Sequence, residues 1–261
     1  TSVEARSGAN SAEIKATIDP GYTFVHWTAG NTITITSPNA TTTTVRATGE
    51  GTLTANATAN SYTVHFDGNG NTGGSMSDMP ALTFGKVYNL PSNAFTKTGY
   101  TFAGWAAGEV SYEDGAEVSN LTPVNNGTAT LYAKWTPKNY TVTLDKQTSA
   151  EGYGGNEGTV ANQTVTFDAT PAIVTGIMPT AKDGWAFMGF YSAKDGGGRQ
   201  FINPLGNWVT DAGDTIRESK WVHAGDVTLY AYYKKAEITD LIFDAAVVAP
   251  GAEVGVTPKV D

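Results

Sequence analysis

The chain has 261 residues, with 16 Lys+Arg against 25 Asp+Glu and a formal charge of −9. It contains no Cys, which excludes disulfides, thiolate nucleophiles and Cys-based metal sites. Scattered Lys and Arg make no basic face for phosphate, so a nucleic-acid partner is not expected. No apolar run approaches the roughly 18 residues of a membrane span, so no membrane insertion is expected, and no signal-peptide pattern opens the chain.

The chain carries 39 Thr, many alternating with aliphatic residues, as in Thr32-Ile33-Thr34-Ile35-Thr36. β-branched residues at that density favour strands. Gly21-Tyr22-Thr23-Phe24-Val25-His26-Trp27 reads as a first strand, and Leu53-Thr54-Ala55-Asn56-Ala57 as a closing one. After the short joint Ala59-Asn60, Tyr62-Thr63-Val64-His65-Phe66 alternates cleanly, with Tyr62, Val64 and Phe66 on one face. A Gly/Asn turn follows from Asp67 to Gly74. The region from Leu82 to Leu90 is expected to hold a short strand, with one short helix per unit allowed around Leu82 to Asn89 or Asp114 to Leu121. Gly99-Tyr100-Thr101-Phe102-Ala103-Gly104-Trp105 then repeats the block that began at Gly21, and strict alternation sets Tyr100, Phe102 and Gly104 opposite Thr101, Ala103 and Trp105. The glycines at 21 and 99 are expected in a turn with positive φ, and Gly104 against an aromatic ring.

The repeat is regular. The Gly21 and Gly99 blocks lie 78 residues apart, and so do Leu53-Thr54-Ala55-Asn56-Ala57 and Leu131-Tyr132-Ala133-Lys134-Trp135. Asn139-Tyr140-Thr141-Val142-Thr143-Leu144 follows Ser61-Tyr62-Thr63-Val64-His65-Phe66 at the same spacing. A third, looser copy runs through Gly184-Trp185-Ala186-Phe187-Met188-Gly189-Phe190 to Leu229-Tyr230-Ala231-Tyr232-Tyr233. Such a period marks stacked supersecondary units. The expected modules are 1–60, 61–138, 139–235 with insertions, and a tail at 236–261 that opens a further β module. A net −4 of the formal −9 falls in that tail, so the repeats themselves are only mildly acidic.

The second unit resembles the internalin-type B repeat, also called the Listeria–Bacteroides repeat. The resemblance rests on the opening strand from Tyr62, the Gly-rich turn, the Gly99–Trp105 block and Leu131-Tyr132-Ala133-Lys134-Trp135. The first unit is similar to a divergent form, with Thr54-Ala55-Asn56-Ala57 in place of Tyr-x-Lys-Trp. The resemblance implies small α+β modules of β-grasp-like fold in a β-rich tandem array. It also implies a bacterial cell-surface or secreted, extracellular location, and a non-enzymatic role as stalk, spacer or adhesion scaffold. No catalytic residue and no cofactor comes with it, and the expected state is monomeric within a longer chain.

Residues that could carry chemistry were weighed against this. Gly68-Asn69-Gly70-Asn71-Thr72-Gly73 fits G-x-G-x-x-G, but dinucleotide binding needs a helix to start there. Asp67, Asn69, Asn71 and Asp78 suggest a calcium loop lacking its bidentate Glu. The three histidines, His26, His65 and His223, are dispersed, and neither G-x-S-x-G nor H-E-x-x-H occurs. Glu109, Glu113, Asp114 and Glu117 share a polar loop, where solvated charge is the expectation. The third unit's insertions add Trp208 and Trp221, with Asp211, Asp214 and Arg217 nearby. These five are the candidate ligand contacts for a glycan or a host or cell-surface protein, set against the reading that a larger unit needs a larger core.

Overall fold

The computed structural model describes residues 11–155, 160–176 and 178–236 in full, and the backbone of residues 2–5, 240–243 and 256–259. It is β-rich, built of several small sheets. The chain divides into two compact units, Thr1–Thr136 and Pro137–Asp261.

The first unit opens with two three-stranded sheets. One has β1 (Ser2–Ala5), and then β6 (Gly51–Ala59) between it and β3 (Tyr22–Ala29); the other runs β2 (Ala12–Lys15), β5 (Thr42–Ala47), β4 (Ile33–Ile35). Alternation does what the Thr pattern demands. Ile33 and Ile35 turn inward while Thr34 is exposed. Ala16, Trp27, Ile33, Val45 and Leu53 form the core. Thr43 is the exception, buried beside Val45, and its hydroxyl accepts the Ser37 N–H at 2.9 Å. A buried hydroxyl is tolerable because it is bonded.

A second module follows within the same unit. Its five-stranded sheet has the order β11 (Val110–Tyr112), β10 (Tyr100–Ala107), β13 (Gly127–Pro137), β7 (Ser61–Asp67), β8 (Met79–Thr83). β9 (Tyr88–Asn89) and β12 (Glu117–Val118) pair separately. β7 and β13 are parallel, with Tyr62 opposite Gly127 and Phe66 opposite Leu131. Parallel neighbours need a crossover, here about sixty residues of turns and short strands. No α-helix occurs in this module. The helices allowed around residues 82–89 and 114–121 are instead the strand segments β8, β9 and β12. The helical part of the α+β expectation is therefore corrected for this module. Gly85, Gly115 and the intervening Pro91 leave no stretch long enough to nucleate a helix.

The unit from Pro137 repeats the plan. Its sheet runs β17 (Gln200–Ile202), β16 (Trp185–Tyr191), β20 (Val227–Lys235), β14 (Asn139–Asp145), β15 (Gln163–Thr166), with β14 and β20 parallel. This is the order of the previous module strand for strand. A small hairpin of β18 (Ile216–Arg217) and β19 (Lys220–Trp221) comes from the late insertion. Of the tail, the described backbone pairs β21 (Asp240–Phe243) with β22 (Val256–Lys259); the rest of residues 236–261 lies almost wholly outside the described residues.

The aromatic block departs from strict alternation. Phe102 and Trp105 do not face opposite ways; their rings meet at 5.0 Å and both pack on the core. The same pairing joins Phe24 to Trp27 at 5.7 Å and Phe187 to Phe190 at 5.5 Å. The cause is a β-bulge, seen as a register shift between Phe24 and His26 and between Phe187 and Gly189. One extra residue resets the phase, so residues three apart share a face. Gly104 sits at this point with φ +103, and a Cβ there would lie 2.5 Å from the Tyr112 carbonyl oxygen. Its close neighbour is thus backbone, not the aromatic ring that the sequence suggested.

Candidate functional site

The residues with candidate chemistry are occupied with structure. Asn69 has φ +47, its N–H bonds the Asp67 carboxylate at 2.7 Å, and its amide donates to the Ala133 carbonyl at 2.9 Å. Trp135 Nε1 donates to the Gly68 carbonyl at 2.9 Å. The G-x-G-x-x-G run is therefore a turn held down by the closing strand, and residues 74–78 after it are not helical. Of the calcium-like set, Asp78 pairs with His65 at 2.7 Å, and Asn71 donates to the Gly73 carbonyl at 3.0 Å. Glu109, Glu113, Asp114 and Glu117 are all exposed. Asp114 accepts the Asn93 N–H at 2.8 Å. His26 lends its carbonyl to Asn56, and His223 lends its own to Trp221. Among the described residues no three His, Asp or Glu side chains come together as a metal site.

The structure separates the five candidate contacts of the third unit. Trp221 is fully buried among Phe201, Ile202 and Ile216, and its indole N–H donates to the His223 carbonyl at 2.7 Å. Trp208 is half-buried, stands edge-on to Trp221 at 6.1 Å, and donates to the Ala172 carbonyl at 2.7 Å. It lines a pocket of about 180 Å³ with Asn207, Thr170 and Thr210. Asp211 caps the Gly213 N–H, while Asp214 and Arg217 form an exposed ion pair at 3.3 Å. Trp208 and Trp221 are thus brought together; the charged trio is not part of the pocket lining.

A dense polar arrangement lies elsewhere, at the joint between the first and second modules. Asn60 is only 6% exposed, and burial of an amide demands that its groups be bonded. Its N–H donates to the Gly21 carbonyl at 2.8 Å, and its own carbonyl accepts the Phe84 N–H at 2.8 Å. Its side-chain amide nitrogen donates to the Pro123 carbonyl at 2.7 Å, and its side-chain oxygen accepts the Thr23 hydroxyl. One residue therefore ties the first module's aromatic strand to two loops of the second. Ser61 continues the stitch: its N–H donates to the Asn125 side chain at 3.1 Å, and its carbonyl accepts the Asn126 N–H at 2.7 Å. Beside it, Tyr22 and Phe84 meet edge to face at 5.8 Å. Only glycine fits at 21, because a Cβ would lie 2.3 Å from the Phe84 ring.

In the sequence Ala59-Asn60 is a short joint between adjacent, stacked modules. The available signal was the shortness itself, which leaves no slack between strands, but nothing local marks Asn60 as buried. One of its main-chain bonds has a counterpart within the unit from Pro137, where the Lys138 carbonyl accepts the Phe167 N–H at 2.9 Å.

Repeated modules of this topology, with their polar groups turned to turns and joints, define a tandem-repeat β protein. Residues 62–134 match the Listeria-Bacteroides repeat domain, and residues 2–61 match the divergent InlB B-repeat domain. Residues 2–134 thus carry two copies of the internalin-type B repeat, the divergent form first. The chain is 31% identical over 140 residues to internalin H of Listeria monocytogenes, across 54% of this chain and 20% of that protein. It is 26% identical over 250 residues to an inferred membrane protein of Evansella cellulosilytica, across 95% of this chain and 33% of that one. A Gly-rich inferred membrane protein of the same organism matches at 30% over 141 residues, across 54% of this chain and 15% of that protein. The chain thus spans a third or less of these relatives. It is a repeat segment of the kind found in bacterial surface proteins.

Proposed function

We propose that this chain is a non-catalytic spacer within a larger, extracellular bacterial surface protein, holding other parts of that protein away from the cell. The observation that carries this reading is the Asn60 seam. A spacer must transmit position, and a buried, fully bonded joint does so where a Gly/Ser linker does not. The modules expected at 1–60, 61–138 and 139–235 are then the unit of length, each monomeric and covalently in series. The test is replacement of residues 1–136 in the parent protein by an unrelated rigid β-module of equal length. Cell attachment by the parent is expected to survive the exchange and to fall when the segment is deleted without replacement. Loss of attachment after the exchange would show that these residues themselves bind.

A second reading, a glycan- or host-protein-binding module centred on the third unit, is favoured by one observation. Trp208 keeps part of its ring on a pocket with Asn207, Thr170 and Thr210, the pairing of an aromatic surface with hydrogen-bonding groups that suits a sugar. Trp221 supports that ring from within the core. Trp208→Ala would then abolish binding on a glycan array; an array silent for the unaltered chain would dismiss this reading.

A further inference from the structure

We propose that the first module holds a binding site for a planar aromatic ring of indole size, in a pocket beside Ala57. The pocket has a volume of about 330 Å³, within the range of small-molecule sites. Trp27, Ala55, Ala57, Ile18 and Tyr22 are among its lining residues, and Lys15 and Asp19 are its charged ones.

The repeat itself shows what this place accepts. At the 78-residue spacing, Ala57 corresponds to Trp135, Ala55 to Ala133 and Trp27 to Trp105. In the second module the indole of Trp135 covers the end of the core, packing edge to face on Phe102 at 5.6 Å. In the first module that indole is gone, and Ala57 is exposed on the open recess. Removal of a large side chain leaves a hollow that an aromatic guest can refill; here the lining is mixed, with Ile18, Trp27 and the alanines beside Lys15, Thr17 and Asp19. Tyr22 is held by the seam, where Phe84 meets its ring, so one wall is fixed before any ligand arrives. Trp27 is anchored by its own hydrogen bond to the Ala40 carbonyl at 2.9 Å, so the aromatic part of the lining is held in place. Asp19 provides an acceptor for a ring N–H or phenolic O–H.

The experiment is titration of the whole chain with free indole, followed by the methyl resonances of ¹³C-labelled alanine. Saturable shifts are expected at Ala55 and Ala57, with Ala103 and Ala133 of the second module unmoved. Ala57→Trp is expected to weaken indole binding at least tenfold by supplying the missing ring from within. Ala57→Leu serves as a second, smaller blocking variant should the first fold poorly; position 57 is exposed, so the leucine fits without disturbing the core. No saturable shift at Ala55 and Ala57 up to the solubility of indole would overturn the proposal, as would equal binding by a folded Ala57→Trp or Ala57→Leu variant. Shifts produced by glucose and not by indole would likewise overturn the assignment of an aromatic ligand.

Discussion

Individual tryptophans in this chain differ by what their N–H does. Trp105 is fully buried between Phe66, Phe95 and Phe102, and its Nε1 has no hydrogen-bond partner. Trp135 is only half-buried, but it donates to the turn at Gly68 and closes the core. Trp135→Ala therefore loses both packing and the tie to the turn, at an expected cost of about 3 kcal/mol. Chemical denaturation of residues 1–136 would measure it. Trp105→Phe keeps most of the apolar area and leaves no carbonyl orphaned, so it is expected to cost less than Trp27→Phe, which strands the Ala40 carbonyl. In the third module, burial pushes the Tyr233 hydroxyl well above the ordinary tyrosine range, with Tyr153 and Asp145 adding to the effect. That hydroxyl donates to the Lys146 carbonyl at 2.8 Å. A raised folded value means the neutral form is favoured by folding. This stabilisation is complete below about pH 10, where the unfolded tyrosine ionises, and is lost as pH rises further. Thermal melts of residues 137–261 are expected to fall above pH 10, and the Tyr233→Phe variant is expected to show a weaker dependence there. The inward Tyr62, Val64 and Phe66 and the family resemblance were legible from residue types alone. Asn60 was not, because its burial is made by loops at positions 84 and 123 that no local pattern links to it.

At the scale of elements, the bulge decides which residues become core. Period-two alternation is sound for β7, whose exposed His65 lies between buried Val64 and Phe66. It fails for the aromatic strand, since one inserted residue puts Phe102 and Trp105 on one face. The sequence contained the signal in the spacing of three between aromatics in all three copies: Phe24 and Trp27, Phe102 and Trp105, Phe187 and Phe190. A strand with its aromatics three apart needs a bulge to bury both. Gly104 stands at the matching place in the second module, with a positive φ and with the Tyr112 carbonyl where a Cβ would lie. Gly104→Ala is expected to destabilise this module by about 2 kcal/mol or more, and Gly189→Ala to act alike against the Ile202 carbonyl. Equilibrium urea unfolding of each variant checks this, and an unchanged midpoint for Gly104→Ala would contradict the assigned role. His26 stands at the corresponding place in the first module. Its φ is not positive, so that bulge is built without glycine and His26→Gly should bring no gain from relieved strain.

At the scale of the whole molecule, sequence period and compact unit do not coincide. The period divides the chain near 60 and 138, yet the first two modules form one compact unit through Thr136. The reason is the seam: Asn60 commits four polar atoms to partners at 21, 23, 84 and 123. Cutting there exposes them all, and also uncovers the Phe84 ring that rests on Gly21. Each lost bond to a buried group costs about 1 kcal/mol or more, and the orphaned partners add to it. The first module alone is about sixty residues with a core of five buried side chains, a size at which stability is marginal. Residues 1–136 produced alone are therefore expected to melt in one cooperative transition, and residues 137–261 to fold alone as well. Residues 1–60 produced alone are expected to be largely unfolded at 25 °C. Within residues 1–136, Asn60→Ala should lower the melting temperature of both modules together, because it removes a tie each depends on. Calorimetry separates the outcomes: two well-resolved transitions in unaltered 1–136, or a native-like melt of 1–60 alone, would mean that the seam joins modules that fold without it.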